Sequence, residues 1–181
     1  FDEQLNDEGA GIKTQFVVIS SRGGFRPKSL SLIAAKSGHG KSALALNIAI
    51  DAAIEGFPVV YYSLEMSKEE LMMREVARQT KLPVNKLLTD YRSLSERQRK
   101  DIQNALSKIM RLPIYFDERA TTNVGAIVQS IRTIKRKHHI RLAIVDYLQI
   151  LPRNDNKGNE ETALAEAARQ LKNVAVSENI A

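Results

Sequence analysis

The stretch from Leu30 to Asn47 constrains this chain more than any other. An apolar run, Leu30-Ser31-Leu32-Ile33-Ala34, leads into a loop of small residues and then Gly40-Lys41-Ser42, which opens an Ala- and Leu-rich helix. Strand, tight loop and helix in that order place successive backbone N–H groups around one point, a nest for an anion. Ser37, Gly38 and Gly40 let the backbone from Ser37 to Ser42 turn inward, and the helix adds the positive end of its dipole. In this reading Ser37, Gly38, His39, Gly40, Lys41, Ser42 and Ala43 cradle the phosphates of a nucleoside triphosphate. Lys41 reaches the β- and γ-phosphates, the Ser42 hydroxyl is a ligand of Mg²⁺, and His39 supplies a backbone N–H at a position that tolerates any side chain. Ala35 stands where the pattern G-x-x-x-x-G-K-[ST] has its first Gly, and it is the smallest replacement that keeps the turn compact. An ordinary turn with an incidental Gly-Lys-Ser would need neither the apolar run before it nor the helix-forming run after it.

With 181 residues, 43% hydrophobic and 27% charged, the chain has room for one nucleotide-binding domain with a full core. No apolar run approaches the roughly 20 residues of a membrane span. Phe1-Asp2-Glu3-Gln4 has neither the basic nor the apolar section of a secretion signal, so a cytoplasmic location is expected. The absence of cysteine excludes a disulfide framework and thiolate metal sites. A net charge of +6 is compatible with a polyanionic partner. No Met opens the sequence and it stops at Asn179-Ile180-Ala181, where an apolar strand could begin, so a fragment is expected.

Along the chain, residues 1–22 read as a lead-in or linker and residues 23–181 as one domain. Phe16 to Ile19 is a β-branched run suited to a sheet edge, and Gly23-Gly24 with Pro27 is turn chemistry. The first helix is expected from Lys41 to Glu55, with Gly56 as its C-cap and Pro58 as a stop. Pro58 to Leu64 reads as a buried strand ending in Glu65. Ser67-x-x-Glu70 and Ser95-x-x-Gln98 are capping boxes that start two helices. Their inner faces are Leu71, Met72, Val76 and Ala77, then Ile102, Leu106, Ile109 and Met110, with a short helical piece over Pro83 to Thr89 between them. Pro113 to Phe116 is a third strand.

The helix from Asn123 buries Val124, Ile127, Val128, Ile131 and Ile134. Its end carries Arg132, Lys135, Arg136, Lys137, His138, His139 and Arg141, which either complement the helix dipole or contact nucleic acid. Arg141 to Asp146 is a fourth strand, nearly continuous in apolar residues as buried parallel strands are. A polar loop, Pro152 to Glu160, precedes a last helix from about Glu161 that buries Ala163, Leu164, Ala167, Ala168, Leu171, Val174 and Ala175. Strands alternating with helices imply an α/β fold with a mostly parallel central sheet and helices on both faces.

In such a sheet, ligands gather beyond the carboxyl ends of the strands. The phosphate loop, Glu65 and Asp146 all fall there. Asp146, ending an apolar strand, has the Walker B arrangement of a carboxylate that serves Mg²⁺ beside Ser42. Hydrolysis also needs a group that orients or deprotonates water, and Glu65 is the candidate. Glu118 competes for that role, although Asp117 and Arg119 beside it suggest a solvated loop. His138 and His139 show no ligand spacing.

With these residues in hand, the chain resembles the C-terminal motor domain of DnaB-type replicative helicases, a branch of the RecA-like P-loop ATPases. Gly23-Gly24-Phe25-Arg26-Pro27 and the phosphate-loop string resemble that family's first motif, Tyr62-Ser63-Leu64-Glu65-Met66-Ser67 its second, and Val145-Asp146-Tyr147-Leu148-Gln149 its Walker B element. The resemblance implies a RecA-like fold, truncated at the C-terminus, that couples ATP and Mg²⁺ to movement on single-stranded DNA. It implies Glu65 as catalytic base with Lys41, and Arg74 and Gln149 as coupling residues. By position alone, Arg153 and Lys157 would face DNA. The implied partners are a homo-hexamer of the full-length protein, a primase and a helicase loader. Two departures stand out: Ile12 to Arg22 follows the family's lead-in only loosely, and the sequence ends before its sensor strand and arginine finger, so little hydrolysis is expected of these residues alone. The alternative is a RecA-like recombination or regulatory ATPase that does not unwind duplexes.

Overall fold

Parallel strands need crossovers, and this chain supplies them as helices. The structure, a computed structural model, describes residues 10–36, 38–118, 123–146 and 160–181, apart from the side chains of Glu160 and Glu161. It divides into two compact units, residues 1–65 with 113–181, and residues 66–112.

The larger unit contains α1 (Val17–Ser20), α2 (Lys41–Ile54), β1 (Val59–Ser63), β2 (Ile114–Asp117), α6 (Val124–His138), β3 (Leu142–Asp146) and α7 (Glu160–Glu178). Helices α3, α4 and α5 belong to the smaller unit. The strands form one parallel sheet in the order β2-β1-β3. Every residue of β1 is buried, as the central strand of such a sheet must be. Side chains alternate across a strand. Val60 and Tyr62 therefore share one face, where they join Ile127 and Ile131 of α6 and Leu171, Val174 and Ala175 of α7 in a single apolar cluster. Val59 and Tyr61 point to the other face and are fully buried there, on the side where α2 lies against the sheet. The expected parallel α/β sheet with helices on both faces is thus present.

Three local expectations fail in this unit. Leu30 to Ala34 belongs to no ladder, and Leu32 and Ile33 are exposed. An apolar run becomes a strand only where a neighbouring backbone takes up its hydrogen bonds; among the described residues the sheet has three strands rather than four. Phe16 to Ile19 does not join a sheet edge either. Ser20 and Ser21 donate back to the Phe16 and Val17 carbonyls at 3.0 and 2.8 Å, making a single helical turn, α1. Thr14 secures it, with its amide donating to Ser20 Oγ at 2.9 Å and its carbonyl accepting from the same hydroxyl at 2.7 Å. At the start of α7, Ala163 and Leu164 are exposed, and burial begins at Ala167.

Beyond α7 the chain turns onto the outer edge of β3. Ala181 donates to the Arg141 carbonyl at 3.0 Å, and the Ala143 amide donates to Ala181 at 2.9 Å. Ile12 and Phe25 form an antiparallel bridge, and Gly24 is glycine because a Cβ there would run into the Ile12 backbone.

The smaller unit comprises α3 (Lys68–Thr80), α4 (Val84–Thr89), a 3₁₀ turn (Tyr91–Ser93) and α5 (Glu96–Ile109). Both capping boxes are formed, by Ser67 with Glu70 and by Ser95 with Gln98. Leu71, Val76, Ile102 and Ile109 are buried as expected, but Met110 is 75% exposed and Ala105 takes the inward position. Met110 keeps helical geometry and donates to the Leu106 carbonyl at 2.9 Å, but at roughly 100° per residue it falls outside the stripe of Ile102, Ala105 and Ile109. Glu75 is buried in α3, where Arg78 grips it through two nitrogens at 2.7 and 2.8 Å and Gln79 donates at 2.8 Å.

Candidate functional site

Because β1 and β3 run parallel, their carboxyl ends emerge at the same rim of the sheet. Ser63 pairs with Asp146, the Leu64 amide donates to the Asp146 carbonyl at 2.8 Å, and Glu65 follows at once with its side chain exposed. The strand register therefore brings the two sequence-predicted carboxylates to neighbouring strand ends. Asp146 is 5% exposed, and its Oδ2 accepts from the Tyr61 hydroxyl at 2.8 Å.

The phosphate-loop candidate opens α2. Gly38 and Gly40 have φ of +76° and +82°, and a Cβ at either would meet open space. Glycine is required there for the left-handed backbone, not for want of room. Gly40 is the N-cap of α2, with no side chain capping the helix and no acid in its first turn. The first helical bond runs from Leu44 to the Gly40 carbonyl at 2.9 Å, so the amides of Lys41, Ser42 and Ala43 precede the intrahelical ladder at the helix N-terminus. The His39 amide donates to the Lys36 carbonyl at 3.3 Å and closes the turn. Lys41 folds back over the loop, its Nζ donating to the carbonyls of Ala35 at 2.9 Å and Lys36 at 3.3 Å.

A cavity of about 320 Å³ lies between the Leu30–Ala35 segment, β3 and α7, and both Lys41 and Asp146 line it. The structure thus brings together the lysine and the carboxylate that lie far apart in sequence. Ser42 and Glu65 do not line the cavity. Among the described residues no group of three or more His, Cys, Asp or Glu could hold a metal unaided. One hydroxyl and one carboxylate suit Mg²⁺, which keeps several waters and completes its shell with substrate phosphates.

The other candidates separate. Ser37, Gln149, Arg153 and Lys157 lie outside the described residues, as does Arg119. Arg74 is an exposed residue of α3 in the smaller unit. Glu118 is exposed, whereas Asp117 before it is buried and accepts from Ser130 Oγ at 2.8 Å, which in turn accepts from the Tyr62 hydroxyl at 3.0 Å. At the basic end of α6, Lys135 donates to the Ile140 carbonyl at 2.8 Å, and Arg132 reaches Glu178 at 3.5 Å. His138 stacks on Tyr115 at 4.0 Å, and the Arg141 guanidinium lies 5.6 Å from the Phe57 ring centre. These contacts tie those four residues to neighbouring groups of the domain itself. The bonds of Tyr61, Tyr62 and Ser130 had no signal in the sequence, because each depends on strand register or on which face of α6 turns inward.

Residues 11–181 match the family described as the DnaB-like helicase C terminal domain. The chain belongs to that family. This DnaB-like domain is 32% identical over 170 residues to the replicative DNA helicase DnaB of Synechocystis sp., covering 91% of this chain and 19% of that protein. It is 30% identical over 179 residues to the replicative DNA helicase DnaC of Bacillus subtilis, covering 96% of this chain and 39% of that one. The DnaB-like domain therefore spans well under half the length of these relatives. Among solved structures it superposes on the ATPase domain of G40P with a TM-score of 0.83 at 23% identity, covering 99% of this chain and 65% of that one. It also superposes on a DnaB-like replicative helicase described with its primase interactions, with a TM-score of 0.86 at 24% identity, covering 98% and 43%. At these identities the superpositions establish the fold, which is that of RecA-like ATPase domains.

Proposed function

We propose that this DnaB-like domain is the ATP-hydrolysing motor of a replicative DNA helicase. The observation that carries the reading is the shared cavity of Lys41 and Asp146, at the rim where Glu65 leaves β1. Lys41 would exchange its bonds to the Ala35 and Lys36 carbonyls for β- and γ-phosphate oxygens, a substitution of one set of acceptors for another. The first-turn amides of Lys41, Ser42 and Ala43, with the helix dipole behind them, hold the same phosphates, and Ser37, Gly38, His39 and Gly40 shape the loop around them. Ser42 and Asp146 would hold Mg²⁺, which when bound neutralises charge developing on the phosphates. Glu65, exposed beside Asp146, orients the attacking water and takes its proton. Arg74 and Gln149 couple the nucleotide state to movement, while Arg153 and Lys157 meet the backbone of single-stranded DNA.

The working protein is read as a cytoplasmic homo-hexamer in which residues 23–181 belong to the motor and residues 1–22 lead into it, with a primase and a loader as partners. The test is binding of a fluorescent ATP analogue by the 181-residue chain, followed by ATP turnover and strand displacement in the longer protein. Lys41→Ala should remove binding. Glu65→Gln should bind nucleotide but lose turnover by about 100-fold, the scale seen when one group acting on the transition state is removed. Full unwinding by Glu65→Gln would overturn its role, and turnover without unwinding by the parent would overturn the helicase reading.

A further inference from the structure

Tyr61 is fully buried in β1, and its register partner on β3 is Ile144. Asp146 is therefore its diagonal neighbour on the same face of the sheet, a separation that an aromatic side chain spans. The phenol does span it, with the hydroxyl donating to Asp146 Oδ2 at 2.8 Å. The Tyr61 ring is held in turn by Phe116 on β2, with centroids 5.8 Å apart and planes tilted by 40°. A line of contact thus runs across all three strands and ends on one oxygen of one carboxylate.

We propose that Tyr61 is the positioning residue for Asp146, fixing Oδ2 so that Oδ1 is presented to the metal of a bound nucleotide; this rests on Asp146 being a metal-holding residue as read above. A carboxylate at a strand end rotates about its last bond, and each rotation carries both oxygens. A charge-assisted hydrogen bond from a side chain with only two rotatable bonds, fully buried and in contact with Phe116, stops that rotation before the metal arrives. Groups of this kind, behind a metal ligand rather than on the metal, typically govern metal affinity by about 10- to 100-fold.

Tyr62 provides the comparison. It is as deeply buried, one residue along the same strand, but it faces the opposite side and gives its hydroxyl to Ser130. Loss of either hydroxyl removes a buried hydrogen bond, to Asp146 in the case of Tyr61 and to Ser130 in the case of Tyr62.

The experiment titrates Mg²⁺ against the 181-residue chain with a fluorescent ATP analogue, at a temperature where circular dichroism shows every variant folded, and measures analogue affinity in EDTA as well. For Tyr61→Phe the Mg²⁺ half-point should rise by about tenfold, while affinity in EDTA stays within about twofold of the parent. For Tyr62→Phe the half-point should stay in place while the melting temperature falls. Equal half-points for Tyr61→Phe and the parent would overturn the proposal, as would a Tyr61→Phe that cannot fold when Tyr62→Phe can, since the hydroxyl would then be structural. Equal half-points in a chain whose Lys41→Ala has lost the analogue refute Tyr61 alone. Undiminished binding by Lys41→Ala refutes the nucleotide site and this proposal with it.

Discussion

Replacing Ser130 by alanine removes the middle of a buried polar chain, and its effect follows from the two bonds it breaks. Ser130 Oγ gives its proton to Asp117 Oδ2 at 2.8 Å and accepts the Tyr62 hydroxyl at 3.0 Å, with Tyr62, Asp117 and Ser130 at 1%, 8% and 8% exposure. Loss of the bond to a carboxylate costs about 1.5–3 kcal/mol, and loss of the neutral bond from Tyr62 about 1 kcal/mol. Ser130→Ala should therefore lose about 3 kcal/mol and Tyr62→Phe about 1 kcal/mol. The double variant has no Tyr62–Ser130 bond to lose a second time. Its loss should fall short of the sum of the two single losses by about the worth of that bond, a coupling of about 1 kcal/mol between the two sites. Urea unfolding followed by far-UV circular dichroism measures each corner of the cycle. In melting temperature, about 1 kcal/mol corresponds to about 2–4 °C for a chain of this size. Losses that add within about 0.3 kcal/mol would refute the reasoning, because residues sharing a hydrogen bond cannot behave as independent sites.

Two glycines separate space from conformation. Gly24 has φ of +69° and a backbone carbonyl where a Cβ would stand, whereas Gly56 has φ of +87° and open space. Gly56→Ala should cost about 1–2 kcal/mol, the left-handed penalty alone, and Gly24→Ala more, as read by thermal melts. Ile131→Ala, at 1% exposure in the α6 cluster, should cost about 2–5 kcal/mol by urea titration. On α7, the hydrogen bond from Arg169 lowers the Glu166 carboxyl from 4.5 to about 2. The folded-state value lies below the unfolded one, so the pair's contribution is complete above about pH 4.5 and disappears as pH falls through about 2. Glu166→Gln should lower the melting temperature slightly at pH 7 and leave it unchanged near pH 2.

Much of this architecture was legible because local rules agree with the fold. The capping boxes at Ser67 and Ser95, the three- and four-residue spacing of Ile127 and Ile131, and the apolar strands ending at Ser63 and Asp146 each follow from short stretches of sequence. Leu30 to Ala34 could not be settled that way, since strand formation depends on a neighbour that the segment itself does not encode. The site was legible to the same degree. Lys41, Glu65 and Asp146 announce themselves by their place after apolar runs, but Tyr61 reads as one more residue of a buried strand until the β1–β3 register puts Asp146 within its reach.

The two bonds that Ala181 makes to Arg141 and Ala143 give the sheet a hem. Ile180, at 1% exposure, anchors that hem in the apolar cluster. Trimming these two residues would bare the flank of β3, a ready template for strands from other molecules. A chain shortened by so little should consequently precipitate at concentrations where the parent stays clear, well before any loss of helix is visible.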